Sequence, residues 1–140
     1  MIAGGVIDEP IGRDSRDRIK QAISSSGKDA ITHYRVIDRY KSHTHVKAIL
    51  ETGRTHQIRV HLSHIGYPLV GDPMYGGRVR FPKKASENLK EALLGFKRQA
   101  LHSKKLTLNH PSTGELLSWK EPLPDDMLEL LAVLNEFDQC

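Results

Sequence analysis

The chain has 140 residues, 38% apolar and 27% charged, with a formal net charge of +4; this suits one folded domain and excludes a large multidomain enzyme, a disordered tail and a coiled coil. No apolar run approaches the ~20 residues of a membrane-spanning helix, nothing at the N-terminus reads as a secretory signal, and the single cysteine, Cys140, can form neither an internal disulfide nor a thiolate metal cluster, which fits a reducing cytoplasm. Charge is uneven: residues 31–80 hold eight Lys or Arg against three acids and six of the eight histidines, whereas 121–140 hold six acids and no Lys or Arg, so the middle of the chain suits a polyanion such as nucleic acid.

Residues 1–28 are broken by Gly4-Gly5, Glu9-Pro10, Gly12 and Ser24-Ser25-Ser26-Gly27 and read as loop with at most one short strand at Val6-Ile7. From Ala30 the period becomes two, with Ala30, Thr32, Tyr34 and Val36 on one face. A second alternating run, Thr44, Val46, Ala48 and Leu50, follows the polar turn Lys41-Ser42-His43, and the two form an antiparallel hairpin. The period then becomes helical: Ile58, Leu62 and Ile65 predict a short helix over 56–65, with Thr55 as N-cap and Gly66 as its stop. Residues 68–77 are a Gly/Pro-punctuated connection that runs into the basic stretch Arg78 to Lys84. Ser86 caps a second helix with Leu89, Ala92, Leu93 and Phe96 on one face. A second hairpin over 101–120 turns at 109–114, around His110-Pro111. The acidic-started last helix is expected to bury Leu128, Leu131, Val133, Leu134 and Phe137. The sum is an α+β domain, a mixed and mainly antiparallel sheet with short helices.

Chemistry concentrates at Gly53-Arg54-Thr55-His56-Gln57-Ile58-Arg59-Val60-His61-Leu62-Ser63-His64. A strand end, a glycine turn and a helix N-terminus converge there, which favours a phosphate or carboxylate guest. Arg54, ahead of the helix, can reach outward to a phosphate while Arg59, one turn in, points toward a buried acid. A zinc site on His61 and His64 with His56 nearby lacks the H-E-x-x-H spacing and a completing ligand, and no G-x-S-x-G elbow or reactive cysteine supports a hydrolase. A purely structural alternative makes the histidines half-buried spacers and pairs the arginines with Asp72 or Glu51.

The run Glu51 to His61, with Pro68-Leu69-Val70-Gly71-Asp72 and Tyr75-Gly76-Gly77, resembles the signature of the ribosomal large-subunit pseudouridine synthases. Arg98-Gln99-Ala100-Leu101-His102, His110-Pro111 and Pro122-Leu123-Pro124 follow the same family, and the basic segment from Arg78 to Ser86 is similar to that of its D-type members. The resemblance implies isomerisation of uridine to pseudouridine in 23S ribosomal RNA in the cytoplasm, without cofactor or metal. It implies that Arg59 holds the family's essential aspartate, that Ile58 floors the uracil pocket, and that Arg54, His56, Arg78, Arg80, Lys83 and Lys84 meet RNA. The family's aspartate stands in an H-R-L-D stretch; the upstream aspartates here, at 8, 14, 17, 29 and 38, have no such context, and Tyr34 does not take the family tyrosine's place. Residues 1–140 are therefore expected to be the C-terminal portion of a catalytic domain, without the N-terminal RNA-binding domain and the aspartate segment. Such a portion is expected to be inactive alone and either to self-associate through an exposed edge of the hairpin over 30–50 or to leave that hairpin loosely packed. A noncatalytic basic RNA-binding module is the alternative.

Overall fold

The computed structural model describes residues 3–109 and 111–138, so Cys140 and the His110 part of the second turn lie outside the described residues. A three-stranded antiparallel sheet has the order β1 (Gly4–Asp8), β4 (Ile31–Arg39), β5 (Thr44–Leu50). The strand expected near Val6 thus exists, and it covers the β4 edge that a lone hairpin would leave open. Gly5 stands opposite Tyr34, whose side chain lies so close that a Cβ on Gly5 would meet its hydroxyl at 2.9 Å and its ring at 3.1 Å. Between β4 and β5 the pairing slips after Val36, and Ile37 is left as a bulged residue about half exposed.

Residues 11–23, expected as loop, instead form a small ribbon of β2 (Ile11–Arg13) and β3 (Gln21–Ile23). The strands have three residues each, too short to show a period. Asp14 shapes the turn between them by accepting the N–H groups of Arg16 and Asp17, while Ile11 and Lys28 exchange both backbone hydrogen bonds. The second hairpin forms as expected, from β6 (Lys105–Asn109) and β7 (Leu116–Lys120).

Helix α1 spans Gln57–His64, inside the expected range, and Gly66 at φ 91 ends it. Two expectations fail here. The N-cap is His56, with a left-handed backbone, and not Thr55. The buried face is Gln57, Val60, His61 and Leu62, because two polar residues one turn apart find partners in the sheet and displace Ile58 toward the surface. Residues 73–76, also expected as loop, form a single helical turn, α2 (Pro73–Gly76), with Asp72 accepting the N–H groups of Met74 and Tyr75 and proline at the first position. Helix α3 (Glu87–Gly95) starts where Ser86 accepts the Leu89 N–H.

The main core lies between α3 and α4 (Asp125–Asp138): Leu89, Leu93 and Phe96 pack on Leu130, Leu134 and Phe137. Leu128, expected inside, is half exposed, since the stripe that meets α3 runs through 130, 134 and 137, at spacings of four and three. A smaller cluster of Ile11, Ala30 and Val60 seats α1 on the sheet side.

Candidate active site cleft

The joint between α1 and β4 is polar and fully paired. Gln57 is buried; its amide nitrogen donates to the Ile31 carbonyl at 3.0 Å and to the Thr32 hydroxyl at 2.9 Å, while its oxygen accepts from Thr52 Oγ1 at 2.6 Å and from the Arg54 N–H at 3.0 Å. Thr32 Oγ1 lies 2.8 Å from His61 Nδ1, and His61 Nε2 lies 2.9 Å from the Glu9 carbonyl. That carbonyl only accepts, so the proton of His61 sits on Nε2, and Nδ1 accepts the threonine hydroxyl. Both ring nitrogens are thereby used on protein atoms, and among the described residues no group of three His, Cys, Asp or Glu is placed to hold a metal ion. The structural reading of the histidines thus holds for His61.

This joint fixes the 51–56 turn and, with it, a shallow open cleft of about 300 Å³ at the N-terminal end of α1, lined by Leu50, Arg54, His56, Ile58, Arg59 and Leu101 among others. Ile58 and Arg59, singled out from the sequence, are brought together there with Arg54 and His56. Ile58 is partly exposed and lines the cleft instead of the core. Arg54 reaches back to donate from Nε to the Asp29 carbonyl at 2.8 Å, which ties the turn to the start of β4.

Arg59 does point to a buried acid, and that acid is Asp72. Its Nε and Nη2 donate to the two carboxylate oxygens at 2.8 and 2.9 Å, and the Asp72 side chain is fully enclosed. The Tyr75 ring supports the guanidinium from one face, 4.9 Å from its centre. Burial on its own would raise the Asp72 carboxyl pKa. The Arg59 hydrogen bond and charge, with the Tyr75 and Met74 N–H groups, outweigh burial and hold it below its ordinary 3.8. For Arg59 the Asp72 hydrogen bond leads and raises the guanidinium pKa further. A guanidinium offers two bidentate edges. Asp72 takes the Nε/Nη2 edge, and the Nη1/Nη2 edge has no described protein partner.

Tyr75 is the residue whose role sequence reasoning missed, whereas the Arg59–Asp72 pair is one that the structural alternative offered. Tyr75 Oη accepts the Gln21 N–H at 3.0 Å and lies 2.7 Å from His56 Nδ1, with the two rings edge to face. The single turn α2 therefore holds both Arg59 and His56, and the Asp-Pro-x-Tyr spacing was its signal. By contrast Arg78, Arg80, Lys83 and Lys84 are exposed on the connection between α2 and α3, and no hydrogen bond or ion pair among the described residues joins them to the cleft.

Comparison with known proteins places this architecture first in a class. Residues 3–64, from β1 through the end of α1, match the RNA pseudouridylate synthase family, and the fold is that of a pseudouridine synthase domain: the solved structure of human RNA pseudouridylate synthase domain containing 4 superposes with a TM-score of 0.66 at 29% identity, covering 95% of this chain and 57% of that one. The particular relatives are more specific. The chain is 57% identical over 136 residues to ribosomal large subunit pseudouridine synthase D of Pseudomonas aeruginosa and 52% identical over 135 residues to the protein of the same name from Escherichia coli strain K12. It covers 97% and 96% of its own length in these matches and 42% and 41% of theirs, so it spans less than half the length of these relatives.

Proposed function

We propose that this chain supplies the arginine side of the active site of a D-type ribosomal large-subunit pseudouridine synthase, which isomerises uridine to pseudouridine in 23S ribosomal RNA in the cytoplasm. The observation that carries the reading is Arg59: one edge of its guanidinium is anchored on buried Asp72 and the other is presented beside Ile58 at a nucleotide-sized cleft. That free edge suits a second carboxylate, the family's essential aspartate, supplied by a segment outside these 140 residues. A cation in bidentate contact keeps such a carboxylate ionised and oriented as it acts on the glycosidic bond. Uracil would lie on Ile58. Arg54 and the exposed Arg78, Arg80, Lys83 and Lys84 would meet phosphates, giving an affinity for ribosomal RNA that falls steeply with salt.

The test is single-turnover conversion of uridine to pseudouridine in large-subunit ribosomal RNA by the whole protein that carries these residues. Arg59→Ala should lower the rate by about 10²-fold or more with much less loss of RNA binding, and Arg59→Lys should restore it in part, because a point charge cannot bridge two carboxylates. A near wild-type rate for Arg59→Ala would refute the role; RNA binding without turnover in the whole protein would favour a noncatalytic module.

The outer edge of β5 has no strand partner among the described residues, and Ile37, Ile49 and Leu50 on this hairpin are each 44–51% exposed. These features support self-association of the isolated chain through strand pairing. Light scattering on the purified chain should show dimers or larger species; a monomer at all concentrations would exclude it.

A further inference from the structure

His56 is held in a costly and specific state. Its backbone is left-handed at φ 57, a conformation that costs a residue with a side chain roughly 1 kcal/mol and that glycine would adopt more cheaply. Its Nδ1 lies 2.7 Å from the Tyr75 hydroxyl, which accepts the Gln21 N–H; giving its own proton to Nδ1 uses that proton, whereas accepting from Nδ1 as well would leave it without a described partner. An imidazole that accepts at Nδ1 carries its proton on Nε2. Burial first, and the Arg59 charge second, lower its pKa below the ordinary 6.5 against the opposing pull of Asp72, so the ring is neutral at pH 7. Nε2–H has no described protein acceptor, although His56 lines the same cleft as Ile58 and Arg59.

An oriented donor without a protein acceptor, at a cleft beside an apolar side chain, suits a ligand acceptor. Arg54 is the cation at the cleft offered to phosphate, since Arg59 is taken up by carboxylates. A neutral N–H beside the apolar Ile58 is matched to an uncharged acceptor in the plane of a base. We propose that His56 is a substrate-contacting residue that donates its Nε2–H to a carbonyl oxygen of the nucleobase seated on Ile58, and that Tyr75 is the positioning residue that fixes the required tautomer. This rests on the cleft being the uridine site proposed above.

The experiment has two arms on the full chain. Long-range nitrogen–proton NMR of the free protein should show the His56 proton on Nε2, and Tyr75→Phe, which keeps the ring under Arg59, should give a mixture of tautomers. A proton on Nδ1 in the unsubstituted chain would overturn the proposal. The second arm titrates an RNA hairpin with one loop uridine against the same hairpin with that base removed. His56→Gly, which relieves the backbone strain and so does not endanger folding, should weaken binding of the uridine hairpin about fivefold to tenfold and leave the abasic hairpin unchanged. Tyr75→Phe should show a smaller loss, about twofold, with the same dependence on the base. Equal loss on both hairpins would mean a backbone contact, and no loss on either would mean no contact; both overturn the proposal. Failure of the unsubstituted chain to bind either hairpin would instead remove the RNA site itself, and the His56 role with it.

Discussion

Between α3 and α4, six apolar side chains meet without a hydrogen bond among them, whereas between α1 and β4 the buried contact is made by Gln57, Thr32 and His61, each of which both donates and accepts. The first kind of contact is strong and forgiving, because apolar surface has no preferred partner and a core can repack. The second contributes less net stability but admits a single arrangement, since every misplaced donor would be left buried and unpaired. The cleft sits on the second. Ile58, Arg59 and His56 are thus mounted where register is specified by hydrogen bonds, and the larger apolar core lies elsewhere.

Four substitutions can break or sharpen that contrast. The largest effect is expected for Asp72→Ala, which strands a mostly buried Arg59: a loss of roughly 3–5 kcal/mol in denaturant unfolding, with the cleft disordered as well. The same pair sets a pH dependence. The Asp72 carboxyl has a folded pKa depressed below 3.8, so its contribution is complete above about pH 4 and is lost as pH falls through the folded value; acid unfolding of the parent should therefore carry a component that Asp72→Ala lacks. Next, Leu89→Ala empties a fully buried position and should cost about 3 kcal/mol while leaving the His56 tautomer and RNA affinity of the folded protein unchanged. Gln57→Met keeps the volume but orphans the Thr32, Thr52 and Arg54 groups, and should cost about 2 kcal/mol with a disproportionate loss of RNA binding. If the core substitution perturbed the cleft as much as the Gln57 one, the division of labour would not exist. The smallest, Ser86→Ala, removes one cap from α3 and should cost about 1 kcal/mol in thermal unfolding with no effect on the cleft.

The legible parts of the sequence were those where one local rule decides. Alternation over nine and seven residues announced β4 and β5, and Ser86 announced α3, because each feature acts within a few residues. The three-residue strands β2 and β3 are held by a ladder to partners up to 17 residues away, so no local pattern betrays them. The buried face of α1 was misread because apolarity was taken as the mark of burial, when Gln57 and His61 go inside by being satisfied. Ile58 and Arg59 could be singled out through the family signature, and Asp72 stood among the acids offered to the arginines; that Tyr75 organises the group depends on a fold-back of more than ten residues that only the structure displays.

The chain also passes tightly against itself behind α2. Gly71, at φ 77, passes so near the Arg98 backbone that a Cβ there would lie 2.0 Å from its carbonyl oxygen, and the Ala100 N–H donates to the Val70 carbonyl at 2.8 Å. Everything from 72 to 97 is consequently a closed excursion that departs from and returns to a single crossing. Asp72 and Tyr75 sit at the departure and are locked to α1, so the exposed stretch beyond them can lengthen, shorten or change charge while its two ends stay where they are, at an entropic cost that grows only logarithmically with length. The crossing separates the fate of the cleft from the fate of the loop: the basic segment is free to change without Arg59 having to move.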